Sequence, residues 1–165
     1  MSTVTSWPIF KTKLRNRYEV AERTVAFRFE RPSDWTFKAG QFVDITLINP
    51  PETDAEGNVR AFSITSAPYQ EILTIATRLR DTAFKRVLKA APLETEVKIE
   101  GPFGNSTLHR NAARPAVLLA GGIGITPFRA MVLQAAREGF AAPNFPFLLE
   151  PPAGGRSVPG RTSVS

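Results

Sequence analysis

The chain has 165 residues, enough for one domain of ordinary size or one domain plus a fragment, and 42% of them are hydrophobic, enough for a real core. It contains no cysteine and a single histidine, His109, which excludes disulfides, cysteine-ligated iron–sulfur centres, thiol catalysis and a histidine-rich metal site. The net charge of +6 comes from scattered Lys and Arg with short basic runs at 11–17 and 78–89, and without a nucleic-acid module beside them the expected counterpart is a phosphate-rich cofactor or an acidic protein, not nucleic acid.

In chain order, Met1 to Lys13 lacks a signal-peptide apolar core. No apolar stretch approaches the roughly 18 residues of a membrane span, so a cytoplasmic location is the expectation. From Phe10 to about Gly104 the pattern is β-rich. A first strand is predicted near Phe10 to Arg17. Val25 to Glu30 alternates apolar and polar, as a half-buried strand should. Phe42 to Leu47 does so again after a turn at Lys38-Ala39-Gly40. Ala61 to Thr65, Leu73 to Leu79 and Glu96 to Glu100 complete about six short strands, the number of an antiparallel barrel or sandwich. Phe27, Phe29, Phe37 and Phe42 are expected in its core. Residues 49–58 form a Pro/Asp/Glu/Gly loop. Thr82 to Ala90 is the one helical patch in this region, with Phe84, Val87 and Leu88 on one face and Thr82 as N-cap.

At Pro115 the character changes. Ala116 to Ala120 reads as a buried strand that breaks into Gly121-Gly122-Ile123-Gly124-Ile125-Thr126-Pro127. The glycines allow a tight turn and close approach of a ligand to the backbone. Thr126 is a good N-cap, Pro127 suits the first helical position, and Phe128 to Arg137 is the predicted helix. Such a strand, turn and helix N-terminus forms an anion site. It is not the G-x-G-x-x-G fingerprint, because Pro127 stands where the third glycine would be. Residues 143–165, rich in Pro, Gly, Ser and Arg, have no periodicity and read as disordered.

Two further motifs bear on chemistry. In Arg60-Ala61-Phe62-Ser63-Ile64-Thr65-Ser66 the Arg60 fork can pair with a phosphate, Phe62 offers a ring on the same strand face, and Ser63 offers a hydroxyl. An ordinary strand with an exposed arginine is the alternative. Gly101-Pro102-Phe103-Gly104 suits a tight turn. His109 lies in a polar stretch and reads as a surface residue. Glu94, Glu96 and Glu100 read as a solvated strand face, not as an acid/base pair.

Taken in order, Phe37-Lys38-Ala39-Gly40-Gln41-Phe42-Val43, the Arg-x-aromatic-Ser strand, the Thr82 helix cap, Gly-Pro-x-Gly and Gly-Gly-x-Gly-x-Thr-Pro resemble the ferredoxin–NAD(P)+ reductase superfamily over about Phe10 to Ala142. The resemblance implies a mainly β fold: a six-stranded antiparallel Greek-key barrel that binds flavin over residues 1–114, then an incomplete α/β, Rossmann-like NAD(P)-binding domain over 115–142. It implies FAD, with FMN the less common choice, and NAD(P)H as co-substrate. Arg60 would contact the flavin diphosphate and Ala61 lies beside it. Phe62 replaces the family's usual tyrosine against the isoalloxazine. Ser63 would approach the flavin N5 region, where hydride arrives, and is the catalytic candidate, and Ile64 and Thr65 would continue that wall. Thr82, Ala83 and Phe84 match the helix N-terminus that cradles the pyrophosphate. Gly122, Gly124, Thr126 and Pro127 match the turn for the nicotinamide nucleotide. The implied function is electron transfer between NAD(P)H and a carrier protein or an oxygenase component. A non-catalytic flavin-binding or protein-interaction barrel is the other reading.

The resemblance stops early. A single βα unit has no neighbouring strand and cannot build a parallel sheet. Residues 144–165, read as degenerate codons one nucleotide out of frame, permit an apolar strand followed by an acidic helix start. The expectation is therefore a frameshifted or truncated product with impaired NAD(P)H turnover and with Val117, Leu118 and Leu119 exposed.

Overall fold

The computed structural model describes residues 7–109, 111, 114 and 116–139. Six strands form one antiparallel sheet in the order β4-β3-β6-β1-β2-β5. They are β1 (Ile9–Ala21), β2 (Thr24–Glu30), β3 (Phe42–Leu47), β4 (Val59–Ser63), β5 (Ile72–Arg78) and β6 (Glu96–Phe103). Helix α1 (Ala83–Ala90) lies between β5 and β6, and α2 (Ile125–Arg137) follows a 3₁₀ turn at Gly122–Gly124.

The sheet curls into a barrel because its long strand bends. Ile9 to Lys13 of β1 pair with β6, and Leu14 to Ala21 pair with β2. The register shifts between Leu14 and Asn16, and an extra residue there bends the strand and increases its twist. The outer strands then meet. Ile64, just past β4, bridges Ile75 of β5, and Thr65 donates from both its amide and its hydroxyl to the Thr74 carbonyl at 2.8 Å each. The expected six-stranded antiparallel barrel is therefore present.

Alternation in the sequence becomes burial. In β3, Val43, Ile45 and Leu47 point inward while Phe42, Asp44 and Thr46 do not. Phe27 and Phe29 of β2 pair with Ile75 and Leu73 of β5, and all four are fully buried. Phe37 joins the core as expected, with Trp35 stacked on it at 5.2 Å between ring centroids. Phe42 does not join the core. It has the outward parity of its strand and packs instead on Phe103 at 5.5 Å. Helix α1 closes one end of the barrel by burying Ala83, Phe84 and Leu88. Glu94 and Glu96 are exposed and salt-bridged to Lys13 and Lys11, which is the solvated face read from the sequence.

Two expectations beyond the barrel are corrected. Ala116 to Ala120 is not a strand: Val117 is 79% and Leu119 80% exposed. A strand needs a hydrogen-bonding neighbour, and among the described residues no strand pairs with this run. Thr126 is not an N-cap, because α2 starts earlier, at Ile125, with Gly124 as cap. The Thr126 hydroxyl instead donates to the Ile123 carbonyl at 3.0 Å, and Pro127 sits inside the first turn. The tail 143–165 and its frameshift reading lie outside the described residues.

Candidate functional site

Arg60 and Phe62 share one face of β4, as residues two apart on a strand must. Both meet Phe84 of α1. The Phe62 and Phe84 rings are 5.8 Å apart, and the Arg60 guanidinium lies 5.4 Å over the Phe84 ring. Phe62 is 7% exposed, so its ring is held mostly among barrel residues. Ser63 ends the strand opposite Phe42 and stays half-buried. Ile64 and Thr65 form the barrel seam, and the Ser66 hydroxyl accepts the Thr74 amide at 3.0 Å. Ala61 is exposed beside them.

The N-terminus of α1 faces this strand. Thr82 is its N-cap as expected, with a hydroxyl that accepts the Lys85 amide at 3.4 Å. The Ala83 amide donates to the Asp54 carboxylate at 3.0 Å, so a side chain of the 49–58 loop reaches the helix end. Asp54 also accepts from Arg60 at 3.2 Å and from the Glu56 amide at 3.1 Å. Arg60 has further bonds to Glu56 and to the Glu56, Gly57 and Val59 carbonyls. Partial burial alone would raise the Asp54 carboxyl, but the Ala83 and Glu56 amides and the Arg60 charge outweigh it and hold Asp54 below its ordinary value. Lys85 is pushed down, first by burial and then by repulsion from Arg80 and Arg60. Arg60 and the helix N-terminus thus converge on one anion-binding corner, with Arg80 and Lys85 nearby and with Asp54 and Glu56 as its acidic partners.

Helix α2 docks at the Thr65 end of the barrel. Arg129 donates to the Thr65 carbonyl at 2.8 Å, and the Arg137 guanidinium lies 5.7 Å from the Tyr69 ring centre. Met131 packs over Gly40, where a Cβ would come within 2.3 Å of its methyl group. The 3₁₀ turn lies near β5, and a Cβ at Gly122 or Gly124 would meet nothing within 4 Å, so space over the turn is open. Gly122, Gly124, Thr126 and Pro127 are therefore near the Thr65 end of the barrel and apart from the Arg60 corner. His109 is exposed, as read. It lines an open groove of about 580 Å³ with Phe37, Lys38, Pro68, Met131 and Gln134, outside both motifs. Among the described residues, no His, Cys, Asp and Glu cluster could hold a metal. No described helix is long and apolar enough to cross a membrane.

Sequence reading missed Asp54. Its partners on other elements, Arg60 and Ala83, are six and 29 residues away, and nothing in its local pattern marks it. The available signal was a carboxylate in a loop beside a strand that begins with an arginine.

No protein-family model matches the chain. It is 29% identical to human dual oxidase 1 over 113 residues, 64% of this chain and 7% of that protein. It is 32% identical over 113 residues to the glycine betaine monooxygenase reductase subunit of Chromohalobacter salexigens, covering 66% of this chain and 29% of that subunit. The chain therefore spans less than a third of either relative's length. Among solved structures, ferredoxin NADP+ reductase from Neisseria gonorrhoeae with bound FAD and NADP superposes with a TM-score of 0.60 at 22% identity, over 79% of this chain and 53% of that one. Flavohemoglobin from Malassezia yamatoensis with bound FAD and heme gives 0.61 at 27% identity, over 79% of this chain and 35% of that one. In fold and in sequence, the chain is similar to FAD- and NAD(P)-binding reductases of the ferredoxin–NADP+ reductase type.

Proposed function

We propose that the barrel, residues 1–114, binds a flavin, FAD in preference to FMN, and that the chain serves an NAD(P)H-dependent flavoprotein oxidoreductase. The observation that carries this reading is the pair of anion donors, the Arg60 guanidinium and the α1 N-terminal amide of Ala83, which together already hold a carboxylate and so could hold a phosphate. Arg60, Thr82 and Ala83 would hold the diphosphate. Phe62, buried in the barrel core beside Phe84, would meet the flavin ring only along its small exposed edge. Ser63, Ile64 and Thr65 would line its reactive edge, with Ser63 supplying a hydrogen bond there. Bound flavin supplies hydride acceptance from a reduced nicotinamide and release of the electrons one at a time. The chain's own part is binding and orientation, which needs no acid–base dyad.

Residues 115–142 would contribute Gly122, Gly124, Thr126 and Pro127 to a nicotinamide-nucleotide site. The open space over that turn supports this. The solved relatives named above carry FAD, and one carries NADP. The reductase-subunit relative favours an electron-carrier protein or an oxygenase component as partner.

A second reading is a barrel that binds flavin without turnover. It is favoured by the unpaired run at 116–120, which leaves the nucleotide region without a strand among the described residues. The test is the visible absorption spectrum after incubation with FAD and desalting, followed by NADH or NADPH. Retained, reducible flavin supports the oxidoreductase. Retained flavin that neither nucleotide reduces favours the second reading. A folded, colourless protein refutes both.

A further inference from the structure

We propose that Asp54 is an internal stand-in for a ligand phosphate: its carboxylate fills the Arg60–Ala83 anion site in the free chain and must leave, with the loop tip, when a flavin diphosphate binds. This inference rests on the flavin reading above. The donors Asp54 uses, the Ala83 amide and the Arg60 guanidinium, are those assigned to the diphosphate. A carboxylate and a phosphate cannot share them, because like charges at contact distance repel strongly in a partly buried setting.

The loop is built to move as a flap. Its base is fixed: the Leu47 amide donates to the Asn58 carbonyl at 3.0 Å, and the Asn58 side chain donates to the Leu47 carbonyl at 2.8 Å. Its tip is held by polar contacts. Glu52 makes a two-point bond to Arg86 at 3.0 and 2.7 Å, Arg86 also bonds Asp81, and Asp54 bonds the helix end. Pro51, Glu52, Thr53, Ala55 and Glu56 are all exposed. No apolar side chain of the tip is buried, so opening exposes no core. The Glu52–Arg86 pair is solvent-exposed on both sides, so what ties the tip down is a surface polar contact and not the core.

Asp54 therefore sets ligand affinity by competition: the ligand-free state is stabilised by the contact that binding must break. The Asp54→Asn variant keeps the side-chain shape and removes the charge. Full-length wild type and D54N are each titrated with FAD, by flavin fluorescence, and separately with inorganic pyrophosphate, by calorimetry. Loss of a charge-assisted competitor is expected to tighten FAD binding by about tenfold. FAD affinity that is equal or weaker in D54N overturns the inference and leaves the flavin reading intact. If neither protein binds FAD but D54N binds pyrophosphate more tightly, the flavin reading fails and the competition stands. If neither ligand binds either protein, both fail.

Discussion

Phe84 joins the core to the candidate site, so Phe84→Ala tests both. The side chain is 1% exposed, contacts the Phe62 ring at 5.8 Å and lies under the Arg60 guanidinium at 5.4 Å. Truncating a fully buried phenylalanine costs about 3–5 kcal/mol, through lost burial and the cavity left behind. Of this, the ring pair with Phe62 accounts for about 0.5–1.5 kcal/mol. A small domain has about 5–15 kcal/mol in total, so the variant folds but close to its limit. Each kcal/mol lowers Tm by about 4–8 °C for a domain of this size. Phe84→Leu keeps most of the volume and should lose much less. The assay is urea unfolding followed by the fluorescence of Trp35, which is buried beside Phe37. A Phe62→Ala, Phe84→Ala double-mutant cycle isolates the pair. A loss below about 1.5 kcal/mol for F84A, with an unchanged urea slope, would refute the placement of α1 over the barrel end.

Gly40→Ala should destabilise by about 1–3 kcal/mol, because φ is +101° and the new Cβ would lie 2.0 Å from the Ser106 carbonyl oxygen; a neutral result in thermal melts would count against this packing. Arg129→Ala removes the 2.8 Å bond to the Thr65 carbonyl and should speed proteolysis within 125–137 while leaving the barrel's unfolding midpoint unchanged. A shifted midpoint would mean that α2 belongs to the barrel's cooperative unit. Asp54 titrates below its ordinary value in the fold, so its contribution is present above the unfolded pKa of about 3.9 and is lost as pH falls through the lower folded value. Ligand-free wild type should therefore exceed D54N in stability at neutral pH and match it in strong acid. A difference that stays constant between about pH 2 and pH 6 would contradict the assignment.

What could be read from the sequence followed from local periodicity. Val43, Ile45 and Leu47 announced their strand by alternation, and Thr82 announced a helix by its position before Phe84, Val87 and Leu88. The same alternation should have excluded Phe42 from the core, since its parity is that of Asp44 and Thr46. β1 runs to Ala21, past the expected Arg17; its second half is mostly exposed, and Tyr18 and Val20 alternate there without joining the core, so burial does not mark the extension. The run at 116–120 misled for the opposite reason. It has the composition of a buried strand, but a strand also needs a neighbour, and composition does not supply one. Asp54 was illegible because its role depends on Arg60 and Ala83 arriving from other elements.

The seam at Ile64 and Thr65 has a thermodynamic consequence. Each of the other neighbouring strand pairs shares at least five register pairs, but β4 meets β5 through one bridge and the Thr65–Thr74 bonds. The residues proposed to line the flavin, 60–65, run straight into that thin closure. A ligand seated there would act as a rivet across the weakest join of the cylinder. Its occupancy would then read out as rigidity: amides at 64–65 and 74–75 should exchange slowest when the site is full, and the apparent stability of the whole barrel should climb with ligand concentration.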